Sequence, residues 1–380
     1  MKKRGPVIAF LGPSLPAREA RALSPGLHLL PPARQGDLWR TLTLRPRAIA
    51  IVDGVFESQP SVWHHEIRAA LASGVRVIGG ASMGALRAAE LHGHGMEGAG
   101  RIFGWYRDGA IADDAEVALL HASAEHAFRP LTVPLVNVRW VAQIAARKRI
   151  LSAAEARGLV DCAERIFYQD RTWPRVLAAA EPSLSPSSRA RFRAFAARGL
   201  PDLKAEDARA CLRLALRDLP PPRERPVPRA SALVRLRRLK DGVSRVPGSP
   251  GAVPSGQVLS ALRARADAAA LGAQGLRRLL IAGIAAALGL EPSPEEVAAA
   301  EARWLSSLRV GPRGRDAFFS ASGLADDEVH AICTTLALEE IALQHAARLI
   351  SDGPSPDEGL ALEARLQGTW SALARELAAR

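Results

Sequence analysis

Ser82 stands in Gly79-Gly80-Ala81-Ser82-Met83-Gly84, between an apolar run at 75–78 and an amphipathic stretch that begins at Met83. Small residues on both sides permit a tight turn. Such a turn lifts a serine clear of a strand and sets it at a helix N-terminus. That placement suits a nucleophile for hydrolysis or acyl transfer. The same pattern serves a purely structural serine, whose oxygen caps a helix by accepting an orphan backbone N–H. Gly-x-Ser-x-Gly is a loose signal in a chain with 31 glycines, so the flanking elements carry the weight.

A serine nucleophile needs a base. His64 and His65 lie in Trp63-His64-His65-Glu66. Adjacent residues point about 100° apart on a helix, so at most one of them faces a site. Glu66 is two positions from His64 and off its face. His121 lies on a stretch expected to be helical. Spacing alone leaves the base unassigned.

The elements that must position these residues are legible as a pattern. Apolar runs at 7–11, 48–52 and 75–78 alternate with helical segments at 16–23 and 60–73. Continuous apolar strands separated by helices predict a parallel sheet covered on both faces. The loops after the three runs start at Gly12-Pro13-Ser14, Asp53-Gly54 and the Ser82 turn. In a parallel sheet all three leave from the carboxyl edge, where ligands of open α/β sheets bind. Strand direction therefore brings Ser14, Asp53, Glu57 and Ser82 toward one rim.

Beyond the third run, a helix is expected from Asp113 to about His126, and 130–138 reads as extended because of its prolines. From about Arg139 the chain turns helical. Ser152 with Glu155 and Ser293 with Glu296 form capping boxes. The expected division is an α/β core at 1–145, a helical extension at 146–219, a Pro/Gly/Arg-rich linker at 220–256 and a helical C-terminal domain at 257–380. The linker contains a basic piece at 233–240, read as a solvated or docking helix.

Composition narrows the function classes. The chain has 380 residues, 48% of them hydrophobic, and a net charge of +12. No apolar run reaches the length of a membrane span, and no signal peptide is evident, so a cytoplasmic location is expected. The three cysteines are scattered, which argues against a disulfide framework or a cysteine-rich metal site. No metal site and no cofactor are expected. Aromatics make up only 5% and are not interleaved with the arginines, which argues against nucleic acid. The charge suits an acidic protein partner and would speed its encounter.

Several ordered segments resemble the TfuA-like family. They include Pro31-Pro32-Ala33-Arg34-Gln35-Gly36-Asp37, the stretch from Ile51 through Ile67, Gly80-Ala81-Ser82-Met83-Gly84-Ala85-Leu86-Arg87, Gly95-Met96-Glu97-Gly98, Asp113-Asp114-Ala115-Glu116 and Pro134-Leu135-Val136-Asn137-Val138-Arg139. The resemblance covers roughly residues 5–145. It implies a place in modified-peptide biosynthesis beside YcaO enzymes, which install thioamides. It further implies release of sulfide from a thiocarboxylated ThiS-like sulfur carrier. Thioacid hydrolysis is acyl chemistry, to which a serine at a helix N-terminus is suited.

The expected roles follow. Ser82 is the nucleophile and the N–H of Met83 holds the oxyanion. His64 is the first choice of base, since its loop leaves the neighbouring strand at the same rim, and His121 the second. Asp53, Glu57 and Glu66 orient the base or grip the carrier tail, and Arg87 and Arg139 bind a carboxylate or thiocarboxylate. The rival is a non-catalytic adaptor that binds a YcaO enzyme and its peptide, with Ser82 only a helix cap.

Overall fold

The computed structural model describes residues 5–55, 59–220, 231–246, 252–322, 324, 326–346, 355–367 and 369–370. Glu57 and the linker positions 221–230 and 247–251 lie outside them. The chain divides into two compact units, one formed by residues 1–243 with 254–256, the other by the remainder.

The first unit is built on a five-stranded parallel sheet of β1 (Val7–Phe10), β2 (Leu27–Leu30), β3 (Ala48–Ile51), β4 (Arg76–Gly80) and β5 (Glu97–Ala99), in the order β2-β1-β3-β4-β5. β1 is paired on both sides, Val7 with Leu27 and with Ala48. All of β1, β3 and β4 is buried, which is why β1 and β3 read as unbroken apolar runs and β4 as one broken only by Arg76, whose buried guanidinium pairs with Glu97 at 2.8 Å. The other two are edge strands. Leu27–Leu30 is only part-buried, and Glu97–Ala99 is three residues long with a glutamate at its start. Neither carries a central-strand signature, so both add to the three strands expected.

Alternation along the strands feeds two layers. Val7, Ala9, Ala48, Ala50 and Ile78 face one side, packed by Ala20 of α1 (Ala17–Leu23) and by Ala208, Cys211, Leu212 and Ala215 of α10 (Leu203–Leu216). Ile8, Phe10, Ile49, Ile51 and Val77 face the other. There they meet Leu38 of α2 (Asp37–Leu42), Ile67 and Ala70 of α3 (His64–Ala72), and Met83 and Ala88 of α4 (Met83–Leu91). The last helix of the stretch read as an extension thus forms part of the sheet's own core. Burying α10 brings its first turn to the carboxyl edge.

Between sheet and α10 the chain runs through α5 (Gly100–Arg107), α6 (Leu135–Arg147), α7 (Ala153–Glu164), α8 (Trp173–Ala180) and α9 (Pro186–Ala196). Two local readings are corrected here. Residues 113–126 are not one helix but two short 3-10 turns, Asp114–Glu116 and Ala124–His126, with the Asp113 carboxylate accepting the Ala115 N–H at 2.8 Å. The segment 130–138 stays extended only to Pro134, the N-cap of α6. A proline restricts the residues before it, not those after, and is welcome at a helix start. α11 (Ala232–Asp241) follows, and its contacts are with α2.

Beyond a short strand pair, Val243–Arg245 with Ala252–Pro254, where the two units meet in sequence, the rest of the chain is helical among the described residues. α12 (Ser255–Arg263), α13 (Ala268–Ala287), α14 (Pro294–Ser307), α15 (Arg315–Ser322), α16 (Asp326–Gln344) and α17 (Pro356–Leu366) include an α13–α16 pair and a small core of Leu305, Phe319, Val329 and Cys333. Both Ser293 and Ser355 close capping boxes. Among the described residues no helix is long and apolar enough to cross a membrane.

Candidate active site

The Ser82 turn owes its shape to two glycines facing each other across β4 and α4. A Cβ on Gly84 would stand 1.7 Å from the Ile51 carbonyl oxygen, and one on Gly79 would stand 2.0 Å from the Gly84 oxygen. Only glycine lets the helix start this close to the sheet. Ala81 then takes φ +65°, and the Ser82 N–H donates to the Gly80 carbonyl at 2.8 Å, closing a three-residue turn. A left-handed φ on alanine costs roughly 1 kcal/mol, and here it occurs directly before the candidate nucleophile.

Ser82 occupies the N-cap position of α4, yet its side chain makes no capping hydrogen bond. Ser152, Ser185, Ser231, Ser293 and Ser355 all do cap their helices. The Ser82 residue is 3% exposed and lines a cavity of about 930 Å³. The hydroxyl thus does not serve the helix as a cap. The Gly84 N–H donates to Val52 and the Ala85 N–H to Ser82. The Met83 N–H, first in the helix, has no intrahelical acceptor. Met83's side chain is buried against the sheet.

Asp53 and Ser14 meet where β1 and β3 lie side by side. Connections from β1 and β3 run to opposite sides of the sheet, so their loops part here. Asp53 is 1% exposed. Its Oδ1 accepts the Ser14 hydroxyl at 2.5 Å, and its Oδ2 accepts the N–H groups of Gly12 at 2.8 Å and Ser14 at 3.1 Å. Asp53 lines the same cavity as Ser82.

Lys204, which the sequence reading passed over, lines it too. It is in the first turn of α10, whose N-cap Asp202 accepts the Ala205 N–H. The Lys204 N–H donates to Asn137 Oδ1 at 3.1 Å, and its Nζ donates to the Val117 carbonyl at 2.9 Å. Burial pushes its pKa down, against the pull of the Asp53 and Asp202 carboxylates. The positive end of the helix dipole acts in the same direction as burial. A cation in the first turn of a helix was the sequence signal for this residue. That position disfavours positive charge, and a lysine retained there calls for a reason.

The remaining predicted residues divide. His121 lines the cavity but is exposed; its Nδ1 lies 2.7 Å from the Ala122 carbonyl and its ring meets Phe128 edge-on. No helix carries it, contrary to the helix expected across 113–126. His64 does not line the cavity. Its Nε2 lies 2.8 Å from Glu90, which also accepts from Arg87 at 2.6 Å. Arg87 also donates to the Val62 carbonyl and the Ser61 hydroxyl. Burial alone would raise the Glu90 carboxyl, but the His64 and Arg87 hydrogen bonds outweigh it and hold the group below its ordinary value.

Glu66 is fully buried and accepts the Leu38 N–H at 3.2 Å and the Trp63 N–H at 3.1 Å, tying the starts of α2 and α3 together. Arg139 forks onto Glu116 at 2.9 and 2.7 Å and reaches Glu164 at 2.5 Å. Neither lines the cavity. Arg34, Asp37, Arg40 and Gln59 also line the cavity.

No curated protein matches the chain. Residues 53–172, which run from the buried aspartate through the serine turn to the loop before α8, match the family model described as TfuA-like protein.

Proposed function

We propose that the protein hydrolyses a thiocarboxylate at the C-terminus of a ThiS-like carrier, with Ser82 as nucleophile and Lys204 as base. The match of residues 53–172 to the TfuA-like family model supports a role in thioamide-related biosynthesis. The observation that carries the finer reading is an N-cap serine that does not cap, lining one cavity with a buried lysine of depressed pKa. Neutral Lys204 takes the Ser82 proton as Oγ attacks the thiocarboxylate carbon. The Met83 N–H and the α4 dipole stabilise the oxyanion. The C–S bond breaks, its electron pair leaves with sulfur, and Lys204 returns the proton to give hydrosulfide. Water then attacks the Ser82 ester by the same base, releasing the carrier carboxylate. The sulfide is delivered to a YcaO-type partner.

His121, Arg34 and Arg40 stand where a carrier tail would pass, so we assign them to tail binding. Arg87, Arg139 and Glu66 hold structure in this reading, because each is already saturated by protein groups.

The test is Ser82→Ala. Sulfide release from the thiocarboxylated carrier should vanish while binding to the YcaO enzyme persists. Full sulfide release by this variant would leave the adaptor reading standing alone.

A further inference from the structure

α11 lies outside the family-matched segment and is unusually basic, with Arg235, Arg237, Arg238 and Lys240 against the single acid Asp241. It packs by one side only. Val234 is 8% exposed, and Asp241 lies against Gly36, the residue before α2. Helical spacing puts Leu233, Leu236 and Leu239 on the side away from Val234. These leucines are 59%, 42% and 52% exposed. Arg237 and Lys240 flank them and are themselves exposed. An apolar stripe with a charged border is the composition of a recognition surface, not of a merely solvated helix.

Position adds a second argument. α11 contacts α2, and Asp37, Arg40 and Thr41 of α2 line the cavity that holds Ser82. The helix that carries the basic surface is therefore packed against an element that forms a wall of the candidate active site. A cavity of about 930 Å³ admits a short peptide tail but not a folded protein. Whatever protein threads its tail to Ser82 must rest its body on the rim outside.

We propose that α11 is a docking helix for an acidic carrier protein, holding the carrier's body by an acidic, partly apolar face while its C-terminal tail enters the cavity. This rests on the thiocarboxylate-hydrolase reading. Attraction between the basic helix and an acidic face steers the encounter, and the leucine stripe supplies the desolvated contact.

The experiment compares wild type with the triple variant Arg237→Glu/Arg238→Glu/Lys240→Glu on two substrates, the thiocarboxylated ThiS-like carrier and a short synthetic thioacid peptide of the carrier's tail. All three side chains are exposed, so the fold is kept, and circular dichroism checks it. KM for the carrier should rise roughly tenfold or more at low salt with kcat unchanged. Kinetics on the short peptide should not move. Raising salt should bring the wild-type KM toward that of the variant. Binding of the unmodified carrier, measured calorimetrically, gives an arm independent of catalysis. Ser82→Ala should bind it as wild type does, and the triple variant should not. If hydrolysis fails but this contrast holds, the docking surface stands and the chemistry falls. A carrier KM within twofold of wild type, together with unchanged calorimetric affinity, overturns the proposal. So does loss of binding to anionic phosphatidylserine vesicles with no change in carrier affinity.

Discussion

Asp53 holds Ser14 through both its side chain and its backbone, the hydroxyl at 2.5 Å and the N–H at 3.1 Å. With the Gly12 N–H, three donors from one loop converge on a single buried carboxylate. The loop after β1 is thereby clamped to the end of β3, beside the cavity. Asp53→Asn keeps the shape but turns an amide N–H₂ toward donors. Unfolding by urea should show a loss of about 2 kcal/mol. The same change removes a negative charge that favours protonated Lys204. The acid limb of the pH–rate profile should therefore move to lower pH. A variant with wild-type stability and an unmoved limb would show that the clamp contributes nothing.

Lys204 acts as a base only when neutral, so the rate should rise with pH through its pKa. Burial lowers that pKa from 10.5, so the limb should fall below the ordinary lysine range. Lys204→Met should lower kcat on the order of 10²- to 10⁴-fold and abolish the limb. Lys204→Arg keeps the charge but cannot deprotonate, and should be as inactive as the methionine variant. Substantial activity in either variant, with a retained limb, would return the role of base to His121.

The contrast between what the sequence disclosed and what it withheld is physical. β1, β3 and β4 were legible because central parallel strands are buried on both faces and are therefore largely apolar. Leu27–Leu30 and Glu97–Ala99 were not, because an edge strand has half its environment in solvent. The serine turn was legible through its glycines, but its hydroxyl's freedom from capping was not, since capping and catalytic serines share one local pattern. Lys204 was hidden for a different reason. Its burial comes from packing α10 across the sheet, a contact between residues more than a hundred positions apart. His64 illustrates the converse. It begins a helix at the right edge, but Glu90 and Arg87 draw it into a surface network.

The glycine pair under the serine turn makes a sharp stability prediction. Gly84→Ala would drive a methyl into the Ile51 carbonyl, which is backbone and cannot swing aside. We expect a loss of about 2 kcal/mol or more, or failure to fold. Gly104→Ala, in a helix with open space where the Cβ would stand, should instead stabilise by roughly 0.5–1 kcal/mol. Thermal melts of the two variants should move in opposite directions. A Gly84→Ala melt equal to wild type would mean that α4 can retreat from the sheet.

Glu66 predicts a pH dependence of folding. Burial raises its carboxyl from 4.5 to about 7, outweighing the backbone N–H groups of Gly36, Trp63 and Leu38 that favour the anion. In the unfolded chain the group ionises near its ordinary value. Between about pH 4.5 and 7 the folded state therefore holds a proton that the unfolded state has released. Stability from this group is present below that window, falls as pH rises through it and levels off above, by up to about 3 kcal/mol. Asp207, raised by burial to about 6, contributes a slope of the same sign. Wild type must therefore be compared with Glu66→Gln, which leaves the Asp207 contribution in place. The unfolding free energy of wild type minus that of the variant should fall as pH rises from 4.5 to 7. A difference that stays constant across that window would mean that Glu66 ionises in the fold as it does in water, with its backbone N–H partners compensating fully for burial.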